Sequence, residues 1–179
     1  EALREALGLG AQRAIHLSDR VFAVADTLGT SRTLALAIEK EGADLVLCGR
    51  KALDSETWQV PSQVAAFLGW PHVTNAAAVA RSGDALRLTR QTDFGEEVYE
   101  ADLPVVVSVG LPPEQPTSDD ADGPIEVWQA TDLVDEVRDY DKRFGQPGSP
   151  TRVLAVRDSR PERAGMRAAN ADEAVAKVR

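Results

Sequence analysis

Asp44 to Pro71 constrains the fold most tightly, because it reads in succession as strand, polar loop and helix. Asp44 leads into the apolar run Leu45-Val-Leu-Cys48, which has the length and character of a strand buried on both faces of a parallel sheet. Gly49 ends it. The loop then carries two cations, Arg50 and Lys51, and the hydrogen-bonding side chains of Asp54, Ser55, Glu56, Thr57 and Gln59. Apolar residues recur at Val64, Phe67 and Leu68, a spacing that marks one helical face. A loop at the carboxyl end of a parallel strand, feeding a helix whose first amides lack partners, is where an anionic ligand gains most from backbone donors. The unit is common, however, and most copies in doubly wound domains bind nothing.

The same alternation extends upstream. Glu1 to Gly10 reads as an amphipathic helix with Leu3 and Leu7 on one side. Ala14 to Leu17 and Val21 to Ala25 read as short extended pieces, and Thr30 or Ser31 is placed to cap a helix through Leu34, Leu36, Ala37 and Ile38 that Gly42 closes. Repetition of strand and helix predicts a parallel sheet with helices packed on it. Around Val73 the pattern changes: Ser82-Gly83-Asp84 and Phe94-Gly95 are turn sequences separating alternating segments, so an antiparallel extension is expected, and Pro104 opens a further apolar strand. The proline-rich, acidic run Leu111 to Gly123 reads as an exposed loop. Beyond it the expectations are an edge strand at Ile125 to Trp128, a polar helix from Ala130 to Phe144 and a flexible linker from Gly145 to Ser149. Trp70, with Pro71, closes the helix after the loop and reads as core.

Composition removes several functions. A formal charge of −9 with no block of basic residues argues against a nucleic-acid partner, and no segment reads as a membrane span. One cysteine, Cys48, excludes an internal disulfide; at the end of an apolar strand it reads as a buried thiol and fits a reducing cytoplasm. His16 and His72 sit at apparent strand ends with no Cys or carboxylate at ligand spacing, so no metal site is expected.

The order of residues in the loop narrows the reading. Gly49, Arg50, Ala52, Asp54, Thr57, Gln59 and Val60, with Leu53 and Glu56 as close substitutions, follow without a gap the nucleotide loop Gly-Arg-Gln-Ala-Ile-Asp-Gly-Asp-Thr-x-Gln-Val-Gly-Pro of the electron-transfer flavoprotein β subunit, which this chain resembles. Pro61 and Ser62 depart, standing where the family has Gly and often Pro. Proline supplies no amide donor, although it suits the first turn of a helix. A second block, Arg90 to Ser108, resembles the family's other characteristic pattern, with Phe94 and Tyr99 deviating. The ending is a third: Pro150 to Arg157, then Arg160-Pro161-Glu-Arg-Ala-Gly165, then a short helix from Ala171 to Val178. Blocks in the right order are much harder to obtain by accident than one motif.

The resemblance implies an α/β fold: a Rossmann-like parallel sheet flanked by helices, with an antiparallel hairpin extension and an extended C-terminal tail. Because the chain starts at Glu1 inside an apparent helix, the family's initial strands are expected upstream. Residues 1–128 are expected to form the nucleotide-binding domain and 129–179 a C-terminal helix and tail packed on a partner. The resemblance also implies a heterodimer with an α subunit that holds redox-active FAD, while this subunit holds AMP, or a second FAD, as a structural ligand. The chain would be an electron carrier component and no enzyme in its own right. The implied cofactor-binding residues are Gly49, Arg50, Lys51, Ala52, Leu53, Asp54, Ser55, Glu56, Thr57, Trp58, Gln59 and Val60. Thr57 can donate to a phosphate oxygen, Gln59 offers donor and acceptor, and Asp54 is expected to fix the loop. Arg50 and Lys51 could offset ligand charge or form a solvated pair. Trp58 could meet the ligand or the partner, or pack on the helix face. Residues 112–123 lack the aromatic, leucine and lysine-rich elements with which family members dock acyl-CoA dehydrogenases, and carry Asp119, Asp120 and Asp122, so a different dehydrogenase is expected.

Two other readings stay open on the residues. An adenine-nucleotide-dependent enzyme of the same fold would need a Gly/Ser-rich pyrophosphate loop or metal-binding carboxylates, and neither is present in the sequence. A scaffold that has lost its ligand would be supported by Pro61 and Ser62 alone.

Overall fold

The computed structural model describes residues 1–52, 55–110, 123–134, 140–157 and 167–178. A five-stranded sheet has the order β2 (Leu45–Gly49), β6 (Val105–Val109), β3 (His72–Ser82), β4 (Ala85–Thr92), β5 (Gly95–Ala101). β2, β6 and β3 run parallel, whereas β3, β4 and β5 form an antiparallel meander. A separate pair joins β1 (Ala14–Leu17) to β7 (Ile125–Trp128) in parallel. The α/β class, the hairpin extension and its two turns agree with the sequence reading.

Helices α2 (Thr27–Glu41) and α3 (Val60–Leu68) pack together on one face of the sheet. Val46, Val64, Ala65 and Val106 form the buried centre of that layer, with Leu34, Ile38, Cys48, Leu68 and Trp70 packed against it. Full burial of a valine such as Val64 or Val106 contributes about 1.5–3 kcal/mol. On the opposite face Ala76, Leu88, Val105 and Val107 gather residues from β2 to β6 alone. α1 (Ala2–Gly8) buries Leu7 and packs on β1.

Several expectations are corrected. β2 is the terminal strand of its sheet and Leu47 is 55% exposed, so it is not buried on both faces; Val46 and Cys48 face the helices while Leu45 and Leu47 alternate to the other side. Val21 to Ala25 is not extended, because Asp19 accepts the Val21 amide and caps a 3₁₀ turn, Arg20–Phe22. α2 begins at Thr27, so Thr30 and Ser31 lie inside it and Asp26 is the cap; Ser31, fully buried, bonds back to the Thr27 carbonyl at 2.7 Å. Phe67 is not part of the buried face of α3 but stands outward beneath the Arg32 guanidinium, 5.3 Å from the ring centre. The single helix expected over Ala130 to Phe144 is interrupted: α4 (Ala130–Leu133) ends where Val134 turns extended, and α5 spans Tyr140–Arg143.

Gly145 to Ser149 is no flexible linker. Phe144 is buried edge-on against Phe22 at 5.2 Å, the Gln146 amide donates to the Ala23 carbonyl, and Gly145 has φ +55 with its Cα so close to the Val21 carbonyl that a Cβ would lie 2.2 Å from it. Only glycine satisfies both demands. α6 (Ala171–Val178) follows the expected boundaries. The acidic loop, the Arg160 to Gly165 block and the site positions Leu53 and Asp54 lie outside the described residues. Among the described residues no helix is long and apolar enough to cross a membrane, and no group of His, Cys, Asp and Glu could hold a metal ion.

Candidate functional site

The loop between β2 and α3 borders two adjoining clefts. The larger, about 660 Å³, lies between the loop, the start of α2 and the C-terminal segment, and is lined by residues that include Asp26, Thr27, Thr57, Gln59, Gln63 and Thr151. The smaller, about 430 Å³, is lined by residues that include Leu34, Cys48, Pro61, Arg50, Lys51 and Trp58. Thr30, Ala52, Ser55, Thr57, Gln59 and Val60 belong to both, so the loop is the wall they share. Volumes of this size suit a small organic ligand.

The loop's backbone leaves a run of donors without acceptors among the described residues. Two of its amides are consumed inside the protein: Arg50 donates to the Val109 carbonyl at 3.1 Å and Glu56 to the Ala52 carbonyl at 3.1 Å. Those of Thr57, Trp58, Gln59, Val60 and Ser62 have no acceptor among the described residues. Trp58 has φ 61 and is followed by Gln59 in the right-handed helical region, φ −89 and ψ −33. Opposite-handed neighbours of this kind turn successive amides toward one concavity, which favours an anion. The start of α3 adds its dipole to the same place. Pro61 costs nothing there, since it occupies the first turn, where the helix has no acceptor for an amide.

Side chains tie this wall to α2. Thr27 Oγ1 donates to Gln59 Oε1 at 2.9 Å and accepts from Gln63 Nε2 at 3.3 Å, while Ser31 Oγ stands 3.0 Å from Gln63 Oε1. Gln59 therefore spends its carbonyl on the scaffold, and neither its NH2 group nor the Thr57 hydroxyl has a partner among the described residues. Lys51 Nζ pairs with Glu56 Oε1 at 2.7 Å, which offsets its charge locally. Arg50 has no carboxylate partner among the described residues and lies over the Trp58 ring, 5.4 Å from its centre. Trp58 is 48% exposed. Burial pushes the Cys48 thiol up, which keeps it protonated and unreactive.

The profile of the electron transfer flavoprotein domain matches residues 1–133, and the bovine electron transfer flavoprotein subunit beta is 33% identical over 189 aligned positions that take in 100% of this chain and 70% of that protein. The chain belongs to the electron transfer flavoprotein β-subunit family. The β subunit of Thermoanaerobacterium thermosaccharolyticum is 38% identical over 168 residues, 92% of this chain and 65% of that relative. The caffeyl-CoA reductase-Etf complex subunit CarD of Acetobacterium woodii is 39% identical over 141 residues, 74% of this chain and 54% of that relative. The chain thus spans 65% and 54% of the lengths of these two curated relatives.

In this electron transfer flavoprotein β-family chain the expected site residues divide by position. Ala52, Ser55, Thr57, Gln59 and Val60 line both clefts, and Gly49, Arg50, Lys51 and Trp58 line the smaller. Glu56 lines neither and serves as the partner of Lys51. The sequence reading missed Asp26, Thr27, Gln63 and Thr151, which complete the larger cleft. Asp26-Thr27 carried a signal, a capping pair before a helical run, but Thr30-Ser31 offered the same chemistry four residues later.

Proposed function

We propose that this chain is the β component of a heterodimeric electron transfer flavoprotein and that the loop 49–60 holds the phosphate of AMP. The observation that carries this reading is the run of amides from Thr57 to Val60, which have no acceptor among the described residues, in the loop that lines the two clefts. Residues present there fit an anionic nucleotide. Main-chain donors, the Thr57 hydroxyl and the Gln59 NH2 group suit phosphate and ribose oxygens, and Arg50 supplies a cation at the rim. The flavin in the partner α subunit supplies the redox chemistry; this chain's groups bind and orient the adenylate and have no reactive role. A second FAD would use the same phosphate cradle.

In this reading residues 1–128 form the nucleotide-binding domain, and 129–179 the helix and tail that pack on the α subunit. Val153, Leu154 and Val156, exposed by 70%, 91% and 89%, support the tail's assignment to a partner surface. The complex is a cytoplasmic electron carrier, passing electrons from a dehydrogenase to an acceptor, and the acidic loop points to a donor other than a conventional acyl-CoA dehydrogenase.

The test is release of bound nucleotide from the complex purified with its flavin-bearing partner, followed by mass spectrometry. Equimolar AMP and FAD is the expected result, and a doubled FAD content without AMP would keep the site and change its occupant. Turnover of ATP by the purified complex, or an intact complex holding no adenylate, would overturn the reading.

A further inference from the structure

Trp58 is an unusual residue for its position. A bulky side chain at φ 61 is an outlier, maintained only where the surroundings impose it, and here it leaves the indole half exposed at the mouth of the smaller cleft. Among the described residues the ring belongs to neither buried apolar cluster. What it meets is charge: the Arg50 guanidinium lies 5.4 Å and the Lys51 ammonium 5.9 Å from its centre. The two cations differ in what else they do. Lys51 is held by Glu56 at 2.7 Å, whereas Arg50 has no carboxylate among the described residues and has its backbone pinned to β6 through the Val109 carbonyl.

We propose that Trp58 is a positioning residue, holding the Arg50 guanidinium at the rim of the cleft so that this cation meets the anionic end of the bound nucleotide. The inference rests on the nucleotide reading above and adds the residue that sets its charge selectivity. The physical argument is about order. A free arginine on an exposed loop samples many rotamers, and fixing it on a ligand costs entropy. Stacked on an indole, the planar group is already confined, yet its N–H donors point outward in the plane and stay available to phosphate. Lysine could not do the same, since its donors radiate from a point and Lys51 is already neutralised. Trp58 therefore acts through Arg50 and needs no contact with the ligand.

The experiment is calorimetric titration of the purified complex, stripped of nucleotide, with AMP and with adenosine, which lacks the phosphate. In the wild type AMP is expected to bind more tightly than adenosine. Arg50→Ala and Trp58→Ala should each weaken AMP about tenfold, the worth of a charge-assisted contact, and leave adenosine unchanged. The double variant should be no weaker than either single one, because both remove the same interaction. Trp58→Phe, which keeps an aromatic face and guards against a folding defect in the alanine variant, should retain the wild-type preference. A Trp58→Ala variant that weakens AMP and adenosine equally, or a double variant whose losses add, overturns the positioning role and leaves the nucleotide site standing. A wild-type complex that binds neither ligand overturns both.

Discussion

Thr151 Oγ1 donates a 2.7 Å hydrogen bond to Oδ2 of Asp26, whose Oδ1 accepts the Gly29 amide at 2.9 Å. One carboxylate thus caps α2 and moors the C-terminal segment across the larger cleft, with Ser149 adding a bond from the Asp26 amide to its hydroxyl. Asp26 and Thr151 both line the larger cleft, together with residues of the loop 49–60.

Replacing Asp26 by Ala should destabilise the protein by about 1 kcal/mol, the usual worth of a helix cap. Burial by itself would raise the Asp26 pKa, but the hydrogen bonds from Gly29 and Thr151 outweigh it and hold the carboxyl below its ordinary value. Its contribution is therefore complete above the pKa of an unfolded aspartate, about 4, and vanishes as pH falls through the lower folded value. Urea midpoints measured across this acid range should fall less steeply for Asp26→Asn, which caps without titrating. Parallel curves for the two proteins would refute the assignment.

Leu88 and Leu154 make a contrast between core and interface. Leu88 is fully buried within the sheet layer, and Leu88→Ala should cost about 2–5 kcal/mol in chemical denaturation. Leu154 is 91% exposed, so Leu154→Ala should change the stability of the isolated chain by less than about 0.5 kcal/mol. If the tail meets the α subunit, the same substitution should weaken the complex, read as subunit dissociation on dilution.

Thr57→Val should weaken nucleotide binding about tenfold and leave the melting temperature of the nucleotide-free complex unchanged, since its hydroxyl serves no described protein group. Gln59→Ala should lower both nucleotide content and melting temperature, because it also removes the bond from Thr27. Full AMP content in both variants would move the site elsewhere.

Reduction of the complex by a medium-chain acyl-CoA dehydrogenase should be slow, because Asp119, Asp120 and Asp122 cannot reproduce an apolar anchor flanked by cations. Stopped-flow flavin spectra would show it. Ordinary rates would remove the argument from the loop.

Much was legible in the chain because it is governed by neighbours in sequence. Gly42 ends its helix with positive φ, Gly83 and Gly95 turn the hairpins, and the apolar run after Pro104 forms the strand Val105–Val109, whereas α3 ends at Gly69, also with positive φ, and not at the expected Trp70 and Pro71. What escaped depends on partners far away. Asp26 was chosen over Thr30 and Ser31 as the cap because Thr151, 125 residues on, completes its bonds. Gly145 to Ser149 has the composition of a linker, but packing of Phe144 on Phe22 and the close approach to Val21 turn it into a fixed corner.

By itself, the sequence determined the alternation of strand and helix, the polar loop at the end of β2 and the family to which the chain belongs, since each is written in local periodicity and residue order. Tertiary structure alone decided that Gln59 spends its carbonyl on Thr27, that Lys51 pairs with Glu56 while Arg50 has no carboxylate partner among the described residues, and that Leu47 faces outward. The reason is physical: a side chain's available donors, net charge and exposure are set by what the folded chain brings within a few ångströms of it, and no spacing in sequence specifies that.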